Sequence, residues 1–332
     1  MGSAAAGAAF PLAAAIALVG SFLLVSRLER LAARWGLSEA MLGLLVALGA
    51  DSPEITSAVT ASAHGQDAIG AGVVLGSNVF NLAALLGLSA LVASHIRLQR
   101  RGVLFEGTAG CWVAVVILVV MVARLTAGLG LALVAVVVGP YLLILALPAG
   151  ALRKCGVPVR AAQWLGGAVA EEERELAGAI RPAPPGRLDG AVAAGSMAVV
   201  VGASIVMERA AEALGRHFGL SSLVIGGVVL AAVTSLPNAV GAVYLSSRGR
   251  GAAVLSEAMN SNMINTVVGL LLPGVFFGLG ATGVDSWLVA GWYAALTVLS
   301  LALAFAGRGL SRPAGTVIVA GYATFVLVAL TR

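Results

Sequence analysis

Acidic side chains stand beside a proline inside a long apolar stretch in the first part of this chain. Asp51 and Glu54 lie on either side of Pro53, and most of the flanking residues are Ala, Leu, Val and Gly. Carboxylate oxygens are preferred ligands of hard cations such as Ca²⁺ and Na⁺. If the stretch crosses a membrane, an ionisable group at its centre costs about 2.5–3.5 kcal/mol even on a lenient insertion scale, and such a group marks a functional site by default. The pattern therefore predicts a cation site within a membrane.

A related pattern returns further along the chain. Residues 47–81 match residues 231–265 without a gap, at an offset of 184 residues. The identical positions include Pro53 and Pro237, Gly65 and Gly249, Ser77 and Ser261, Asn78 and Asn262, and Asn81 and Asn265. The match predicts two copies of one structural unit, with polar groups at the centre of each.

Each copy contains a helix breaker followed by a polar helix face. Proline removes a backbone donor and clashes with the preceding turn, and carbonyl groups freed at membrane depth are tolerated only where protein or a water-filled cavity satisfies them. Pairs of serine and asparagine four residues apart then share one face of the following helix: Ser77 with Asn81, and Ser261 with Asn265. Asn78 and Asn262 have an alternative role, because asparagine also holds membrane helices together. No His or Cys joins either cluster, which argues against zinc or copper.

The composition of the chain excludes an ordinary soluble protein. Hydrophobic residues make up 60% of the sequence and charged residues only 11%, and the mean hydropathy is +1.01. A soluble domain could not hide so much apolar surface behind so few charges. Runs of roughly 17–25 mostly apolar residues are long enough to cross a bilayer. Ten such runs are predicted, near residues 8–26, 38–62, 68–94, 103–123, 127–148, 190–207, 222–246, 252–278, 284–306 and 314–331.

Lysine and arginine residues fall mainly on one side of these ten predicted spans. Sixteen of the 20 lie in loops on that side, and the other side receives only Arg124, Arg209, Arg216 and Arg332. The positive-inside rule predicts that the basic side is cytoplasmic, with both termini outside and the central loop inside. This distribution explains the net charge of +5 without nucleic-acid binding. Basic residues follow the first apolar run rather than precede it, so we interpret that run as a span and not a signal peptide. The expected location is a plasma membrane, and specifically a bacterial inner membrane.

Five predicted spans separate the two copies, and an odd number means that the copies run in opposite directions through the membrane. The predicted fold class is therefore an all-α integral membrane protein of ten transmembrane helices, arranged as two inverted five-helix repeats with broken helices 2 and 7. The predicted domains are the repeats at 1–148 and 189–332, joined by a cytoplasmic linker at 149–188. The linker carries four glutamates within 171–175 and then three prolines, a pattern that predicts a short amphipathic or solvated helix tethering the halves. We interpret Glu106, near the start of the fourth span, as a charge at a helix start.

At these residues the sequence resembles the calcium/cation antiporter superfamily, which includes the sodium/calcium exchangers. That family carries two inverted repeats, each with a G-[ST]-S-x-P-E-type break followed by a G-S-N-x-x-[ND] helix. Here the first copy reads GADSPE from Gly49 and GSNVFN from Gly76, and the second reads TSLPN from Thr234 and NSNMIN from Asn260. The resemblance implies alternating access by movement of spans 1 and 6 against a fixed core, with Ca²⁺ and Na⁺ (or H⁺) as the transported ions and no cofactor.

The resemblance also implies a set of ligands near the bilayer midplane. The expected central ring is Glu54, Asn81, Asn238 and Asn265, and the expected hydroxyl or carbonyl oxygens come from Ser77, Ser261, Thr234 and Ser235.

The acidic residues depart from the family pattern. Members that exchange sodium for calcium have acids from both halves, but Asn238, at the position of the second acid, is neutral, as is Asn265. Asp51 and Glu257 are acids that the pattern does not expect. In one interpretation they restore the charge of a shifted divalent site. In the other, Glu257 is an entry or proton-relay group near the cytoplasmic mouth, Asp51 and Glu54 share a proton because like charges repel, and the ion is monovalent or a proton. A third interpretation makes Glu257 a solvated residue at a helix start.

The predicted function is a secondary active cation antiporter of the sodium/calcium exchanger type. An ion gradient would drive it, because the chain has no G-x-x-x-x-G-K-[ST] nucleotide-binding motif. The alternatives are a proton-coupled or monovalent (Na⁺/H⁺) exchanger on the same fold, an ion channel, and a homologue that binds ions without exchanging them. An intramembrane enzyme is disfavoured because the sequence has no H-E-x-x-H motif and no Ser/Lys or Ser/His constellation. The expected partners are the lipid bilayer and inorganic cations, with neither nucleic acid nor a protein partner.

Overall fold

The computed structural model describes residues 2–35, 47–146, 158–179, 186–280 and 284–332. Within these ranges the chain is mostly helical. The helices are α1 (Ser3–Trp35), α2 (Ser52–Ala63), α3 (Asp67–Ala93), α4 (Arg100–Ala123), α5 (Ala127–Ala146), α6 (Val159–Ala179), α7 (Asp189–Phe218), α8 (Ser222–Thr234), α9 (Leu236–Ser247), α10 (Gly251–Phe277), α11 (Val284–Gly307) and α12 (Arg312–Leu330). Two short strands, β1 (His95–Arg97) and β2 (Gly309–Ser311), pair antiparallel. The prediction of an entirely helical chain was wrong at this short pair.

Nine of the ten predicted spans coincide with helices of the described residues. Eight helices are long and apolar enough to cross a membrane, and α8 and α9 together make a ninth span that is bent by 46°. The remaining predicted span, 38–62, is described only from residue 47 onward, where α2 forms its second half. Two helices extend beyond the predicted spans: α1 continues to Trp35 and α7 to Phe218. Strong helix formers such as Ala, Leu, Arg and Glu continue both helices beyond their apolar parts.

The two predicted helix breaks have the same backbone geometry. Asp51, which precedes α2, has φ −78° and ψ −3°, and Ser235, between α8 and α9, has φ −84° and ψ 1°. A proline then occupies the first turn of α2 and of α9, where its fixed φ fits and its missing N–H costs nothing. Both helices end before a glycine in the left-handed region, Gly65 at φ 73° and Gly249 at φ 74°. The repeated sequence therefore folds into a repeated break and a repeated turn.

The helices that follow these turns form the centre of the bundle. In α3, 94% of the residues in the most apolar window are buried, and in α10 the value is 61%. Both helices change to π-helical hydrogen bonding at corresponding places, over Leu82–Leu88 and Asn265–Leu271. Such π segments are frequent at functional sites because they re-aim side chains within a helix. The polar residues at the start of these segments, Asn81 and Asn265, are fully buried.

Helix α3 crosses α8 at a point where only glycine fits. A Cβ atom added to Gly76 would lie 2.6 Å from the Cα atom of Gly227, and one added to Gly72 would lie 3.1 Å from its backbone nitrogen. Small residues allow membrane helices to pack backbone against backbone. This crossing fixes the distance between the polar face of α3 and the break at the end of α8.

Replacement of Gly76 by alanine is expected to destabilise the protein by about 1–3 kcal/mol, the usual cost of overpacking a well-packed core. The matched control is Gly139→Ala in α5, where an added Cβ has no neighbour within 4 Å. Thermal unfolding of the purified protein in detergent measures both. Equal melting temperatures for Gly76→Ala and the wild type would contradict the close crossing.

The described part of the predicted linker is a longer helix than expected. Helix α6 begins at Val159, well before the glutamate-rich stretch, and it packs against α4 and α10. Its own residues Ala162, Ala168 and Val169 are buried, because its first half is apolar on one face. The prediction of a short helix was therefore wrong in length.

Candidate cation site

The two helix breaks face each other, and their acidic and polar side chains pair across the repeat. Ser235 Oγ donates a hydrogen bond of 2.8 Å to Glu54 Oε1. Asn238 Nδ2 donates a hydrogen bond of 2.6 Å to Asp51 Oδ1. Because Asp51 aligns with Ser235 and Glu54 with Asn238, each acid is bonded to the residue that aligns with the other acid. All four side chains are buried.

Ser261 on α10 extends this cluster to the central helices. Its hydroxyl donates to Asp51 Oδ1 and accepts a 3.0 Å hydrogen bond from Asn238 Nδ2. Asn81 Nδ2 of α3 lies 3.5 Å from the same hydroxyl and donates to Asn262 Oδ1 at 3.1 Å. The structure therefore brings together predicted site residues from both breaks and from both central helices.

Asn78 and Asn262 join α3 to α10 in a symmetric way. Asn78 Nδ2 donates to the Asn262 carbonyl at 3.3 Å, and Asn262 Nδ2 donates to the Asn78 carbonyl at 3.2 Å. The two residues occupy equivalent positions in the two repeats, and each donates to the other's backbone carbonyl. Asn78 also donates to Thr266 Oγ1 at 2.9 Å. These bonds fit the alternative role of the two asparagines in holding the helices together.

Several oxygen atoms in and beside this cluster are buried without a hydrogen-bond donor. They are Asp51 Oδ2, Glu54 Oε2, Asn78 Oδ1, Asn81 Oδ1, Asn238 Oδ1 and Asn265 Oδ1. Burial of an unsatisfied polar atom is costly, and each such atom in a native structure calls for an explanation. Carboxylate and amide oxygens without donors are the ligands that Ca²⁺ and Na⁺ take. The donor set therefore fits a hard cation.

Two of the predicted hydroxyl ligands are engaged with the backbone of α8. Thr234 Oγ1 donates to the carbonyl of Leu230 at 2.9 Å, within its own helix. Ser77 Oγ lies 3.5 Å from the carbonyl of Ala231. Their hydroxyl groups therefore support the end of α8, next to the break.

Glu257 lies in α10, one turn before Ser261. Its side chain faces α9, where a Cβ added to Gly241 would lie 2.9 Å from Glu257 Oε1. Its Oε2 atom is buried and has no partner, and among the described residues the carboxyl group makes no hydrogen bond to the central cluster. The position fits an acid next to the site better than an acid within it.

Glu257→Gln is expected to weaken the apparent affinity for the transported cation about two- to fivefold without abolishing exchange. The reason is that a charge one helical turn from the cation contributes an interaction energy of about 1 kcal/mol after partial screening. Glu257→Asp, which shortens the side chain but keeps its charge, is the control for local packing. Initial rates over a range of cation concentrations measure the effect. Complete loss of transport in Glu257→Gln would show that its carboxylate is itself a ligand.

The interpretation of Glu106 as a charge at a helix start was wrong. Glu106 is only 4% exposed, and the hydroxyl of Tyr141 on α5 lies 2.7 Å from its Oε2 atom and 2.8 Å from Asn260 Oδ1 on α10. The residue lies more than one turn inside α4, where the helix is already surrounded by other helices. Its depth within an apolar run was the available signal, since such acids are rarely solvated.

The central cluster is built mostly from amides and hydroxyls. Among the described residues, no three His, Cys, Asp or Glu side chains lie close enough together to hold a metal ion. Two carboxylates supply the charge at the breaks, and neutral oxygens supply the other candidate ligands. Such a set suits a hard cation that binds reversibly rather than a permanently held transition metal.

Comparison with protein families gives one match that spans both repeats. The family described as sodium/calcium exchanger protein matches residues 6–149 and 190–331. Inner membrane protein YrbG of Escherichia coli is 27% identical over 288 residues, which cover 80% of each chain. The putative antiporter CaxA of Alkalimonas amylolytica is 27% identical over 308 residues, which cover 86% of this chain and 89% of that protein.

Solved structures share the fold of this chain over nearly its whole length. The H⁺/Ca²⁺ exchanger CAX superposes with a TM-score of 0.69 at 12% identity, covering 98% of this chain and 86% of that one. The sodium–calcium exchanger NCX_Mj superposes with a TM-score of 0.61 at 18% identity, covering 98% of this chain and 99% of that one. At these identities the likeness is one of fold.

Proposed function

The chain belongs to the sodium/calcium exchanger protein family, and on this premise we propose that it is a secondary active antiporter that exchanges Ca²⁺ for Na⁺ at a site centred on Asp51 and Glu54. The observation that carries the proposal is the group of buried oxygen atoms without donors around these two carboxylates. A bound cation would satisfy several of them at once, at the place where the two helix breaks meet.

Asp51 supplies the charge that the second half of the chain lacks. The family pattern expects an acid where this chain has Asn238, and Asp51 Oδ1 lies 2.6 Å from the Asn238 amide nitrogen. The carboxylate of Asp51 thus belongs to the first break, but it lies beside the position in the second break where the family pattern expects an acid. Two carboxylates balance one Ca²⁺ or two Na⁺, so both ions of the exchange can be neutralised by the same groups.

The remaining candidate ligands have distinct roles in this proposal. Asn81, Asn238 and Asn265 contribute amide oxygens, each with a buried Oδ1 atom that has no donor. Ser235 and Ser261 hold the carboxylates of Glu54 and Asp51 through hydroxyl hydrogen bonds. Charge-assisted bonds of this kind orient an acidic ligand as well as stabilise it.

We further propose the ten-helix arrangement of two inverted repeats, with the domain limits and membrane orientation inferred from the sequence. The equal geometry of the breaks at Asp51 and Ser235 supports it, as does the reciprocal bonding of Asn78 and Asn262. The excess of basic residues in one set of loops supports a cytoplasmic linker and external termini. A bacterial inner membrane is the proposed location, in keeping with the name of the related YrbG.

Proton coupling is the second candidate, on two observations. Asp51 and Glu54 lie within one helical turn of each other and both are buried, so a proton is an alternative to a second cation as a means of balancing their charge. The superposed CAX structure is that of an H⁺/Ca²⁺ exchanger. In this version the same carboxylates release Ca²⁺ when they are protonated.

Cation exchange in proteoliposomes tests the proposal. Vesicles loaded with Na⁺ are diluted into ⁴⁵Ca²⁺, with and without an imposed pH gradient. Sodium-driven Ca²⁺ uptake supports Na⁺/Ca²⁺ exchange, and uptake driven only by the pH gradient supports the proton-coupled version. Flux that follows the Ca²⁺ gradient with no counter-ion would identify a channel, and absence of any cation flux would identify a homologue that does not transport.

A further inference from the structure

The carbonyl groups that lose their usual helical partner at the two prolines have different hydrogen-bond partners in the two halves. Proline removes the helical hydrogen bond to the residue four positions earlier, which is Gly49 for Pro53 and Val233 for Pro237. The Gly49 carbonyl accepts hydrogen bonds from Ser52 Oγ at 2.7 Å and from Ser21 Oγ at 3.1 Å. The Val233 carbonyl accepts from a backbone N–H at the end of α8, and among the described residues no side-chain hydroxyl donates to it.

Ser21 reaches this carbonyl from α1, a helix on the outside of the bundle. In the most apolar windows of α1 and α7 only 35% and 33% of the residues are buried, and the two helices pack along each other. Their cytoplasmic ends in the proposed orientation are joined by an ion pair of 3.0 Å between Arg27 Nη1 and Asp189 Oδ1. Helices α1 and α7 can therefore move as a pair against the better-buried centre.

Ser21 has a counterpart on α7. The sequence Gly-Leu-Ser follows α1 at residue 36 and follows α7 at residue 219, an offset of 183. The same offset aligns Ser21 with Ser204 and Glu29 with Glu212. The first and sixth spans therefore continue the repeat, with an offset one residue smaller than the 184 of the broken spans.

Ser204 is fully buried, and its hydroxyl has no hydrogen-bond partner. A serine in a helix normally bonds back to its own backbone or to a neighbour, as Ser26 does to the carbonyl of Leu23 at 2.8 Å. The first half thus has its outer-helix serine bound to the break, and the second half has the same serine buried and unbound. This is the asymmetry expected of a two-fold related pair in which one side is engaged and the other is released.

We propose that Ser21 and Ser204 are alternating positioning residues of the exchange cycle, binding the Gly49 carbonyl in one access state and the Val233 carbonyl in the other. The proposal rests on the proposed function, because exchanging the conformations of two inverted halves converts one access state into the opposite one. Movement of the α1–α7 pair releases Ser21 and brings Ser204 to the second break. Each hydroxyl then stabilises the state in which it is bound and does nothing in the other.

Disulfide trapping in the full-length protein tests the new contact without requiring transport. Cys111 and Cys155 are first replaced by alanine. The pair S21C/A50C reports the contact seen here, and its counterpart S204C/T234C reports the proposed one. Both pairs are expected to form disulfides in native membranes under mild oxidation, and the variant with all four cysteines is expected to form only one disulfide per molecule, measured by mass spectrometry. The control pair I205C/T234C, one residue further around α7, is expected not to form.

A second variant tests the role of the Ser21 hydroxyl itself. Ser21→Ala in the S204C/T234C background is expected to raise the rate of disulfide formation about fivefold. Loss of one net hydrogen bond of about 1 kcal/mol shifts the equilibrium between the two access states by about that factor. Ser26→Ala, on the same helix but bonded within it, is expected to leave the rate unchanged. Failure of S204C/T234C to form, two disulfides in one molecule, or an unchanged rate in Ser21→Ala would each overturn the proposal. Because these readouts do not depend on ion flux, a failure of the exchange assay remains a separate result.

Discussion

Glu54→Gln is expected to abolish cation exchange while leaving the protein folded. The substitution keeps the size of the side chain and the acceptor oxygen for Ser235, which donates at 2.8 Å, but removes one of the two charges at the breaks. Removal of one partner from a buried charge pair costs about 3–5 kcal/mol, so the apparent affinity for the cation should fall at least about 100-fold. Initial rates of ⁴⁵Ca²⁺ uptake into Na⁺-loaded proteoliposomes measure the loss.

The matched control for Glu54 is Glu208→Gln in α7. Glu208 is only 2% exposed, yet it makes no hydrogen bond to the described residues of the central cluster. Its substitution should change the uptake rate less than about threefold, because the effect of a distant charge on the site is largely screened. Equal losses in both variants would mean that any buried acid matters and that Glu54 has no special place.

Asp51→Ser is expected to abolish Ca²⁺ exchange, and a second substitution, Asn238→Asp, is expected to restore it. Serine is the residue at the aligned position 235, so Asp51→Ser makes the two breaks alike at this one position but removes a carboxylate. Because Asn238 Nδ2 lies 2.6 Å from Asp51 Oδ1, an aspartate at 238 returns the charge to nearly the same place from the other half. We expect a loss of at least about 100-fold in the single variant, the cost of one buried charge, and recovery to within about tenfold in the double variant.

The control for this rescue is Asp51→Ser combined with Asn260→Asp. Asn260 is buried, but its side chain bonds to Tyr141 and Ser256 outside the proposed ligand set, so a charge there should not replace the one that was lost. Uptake is measured for all variants in vesicles with equal amounts of folded protein. Rescue by aspartate at 260 as well as at 238 would show that total charge matters and that the cross-repeat pairing does not.

The sequence was sufficient to predict the two breaks, because proline has a definite backbone effect and the copies align without a gap. Pro53 and Pro237 each begin a new helix after a residue with nearly the same φ and ψ. The spans were predicted for the same kind of reason, since apolar length is a local property. The ends of α1 and α7 were not, because polar helix formers continue a helix without any change in local preference.

The pairing within the site could not be predicted from the sequence. Asp51 departs from the family pattern, and its bond to Asn238 depends on how two distant segments face each other across the centre of the bundle. The burial of Glu106 beside Tyr141 has the same origin, because both residues come from different helices and only packing brings them together. Sequence periodicity indicates which face of a helix is polar, but it does not indicate which residue on another helix will lie opposite.

The glycines at the crossing of α3 and α8 illustrate the same limit. Glycine is common throughout this chain, with 43 residues, and composition does not separate those that permit a close approach from those that do not. Gly76 has the backbone of Gly227 against it, whereas Gly139 has open space. Only the three-dimensional arrangement of the helices distinguishes the two.

Calcium binding to the purified protein, measured by isothermal titration calorimetry, tests most directly whether Asp51 and Glu54 form one cation site. The account predicts one Ca²⁺ per chain in the wild type, weakened by added Na⁺ through competition for the same oxygens. It predicts no measurable binding in Asp51→Ser or Glu54→Gln, and renewed binding in Asp51→Ser/Asn238→Asp. Unchanged Ca²⁺ binding in both single variants would contradict the account, because the cation would then be held by residues other than the two carboxylates at the breaks.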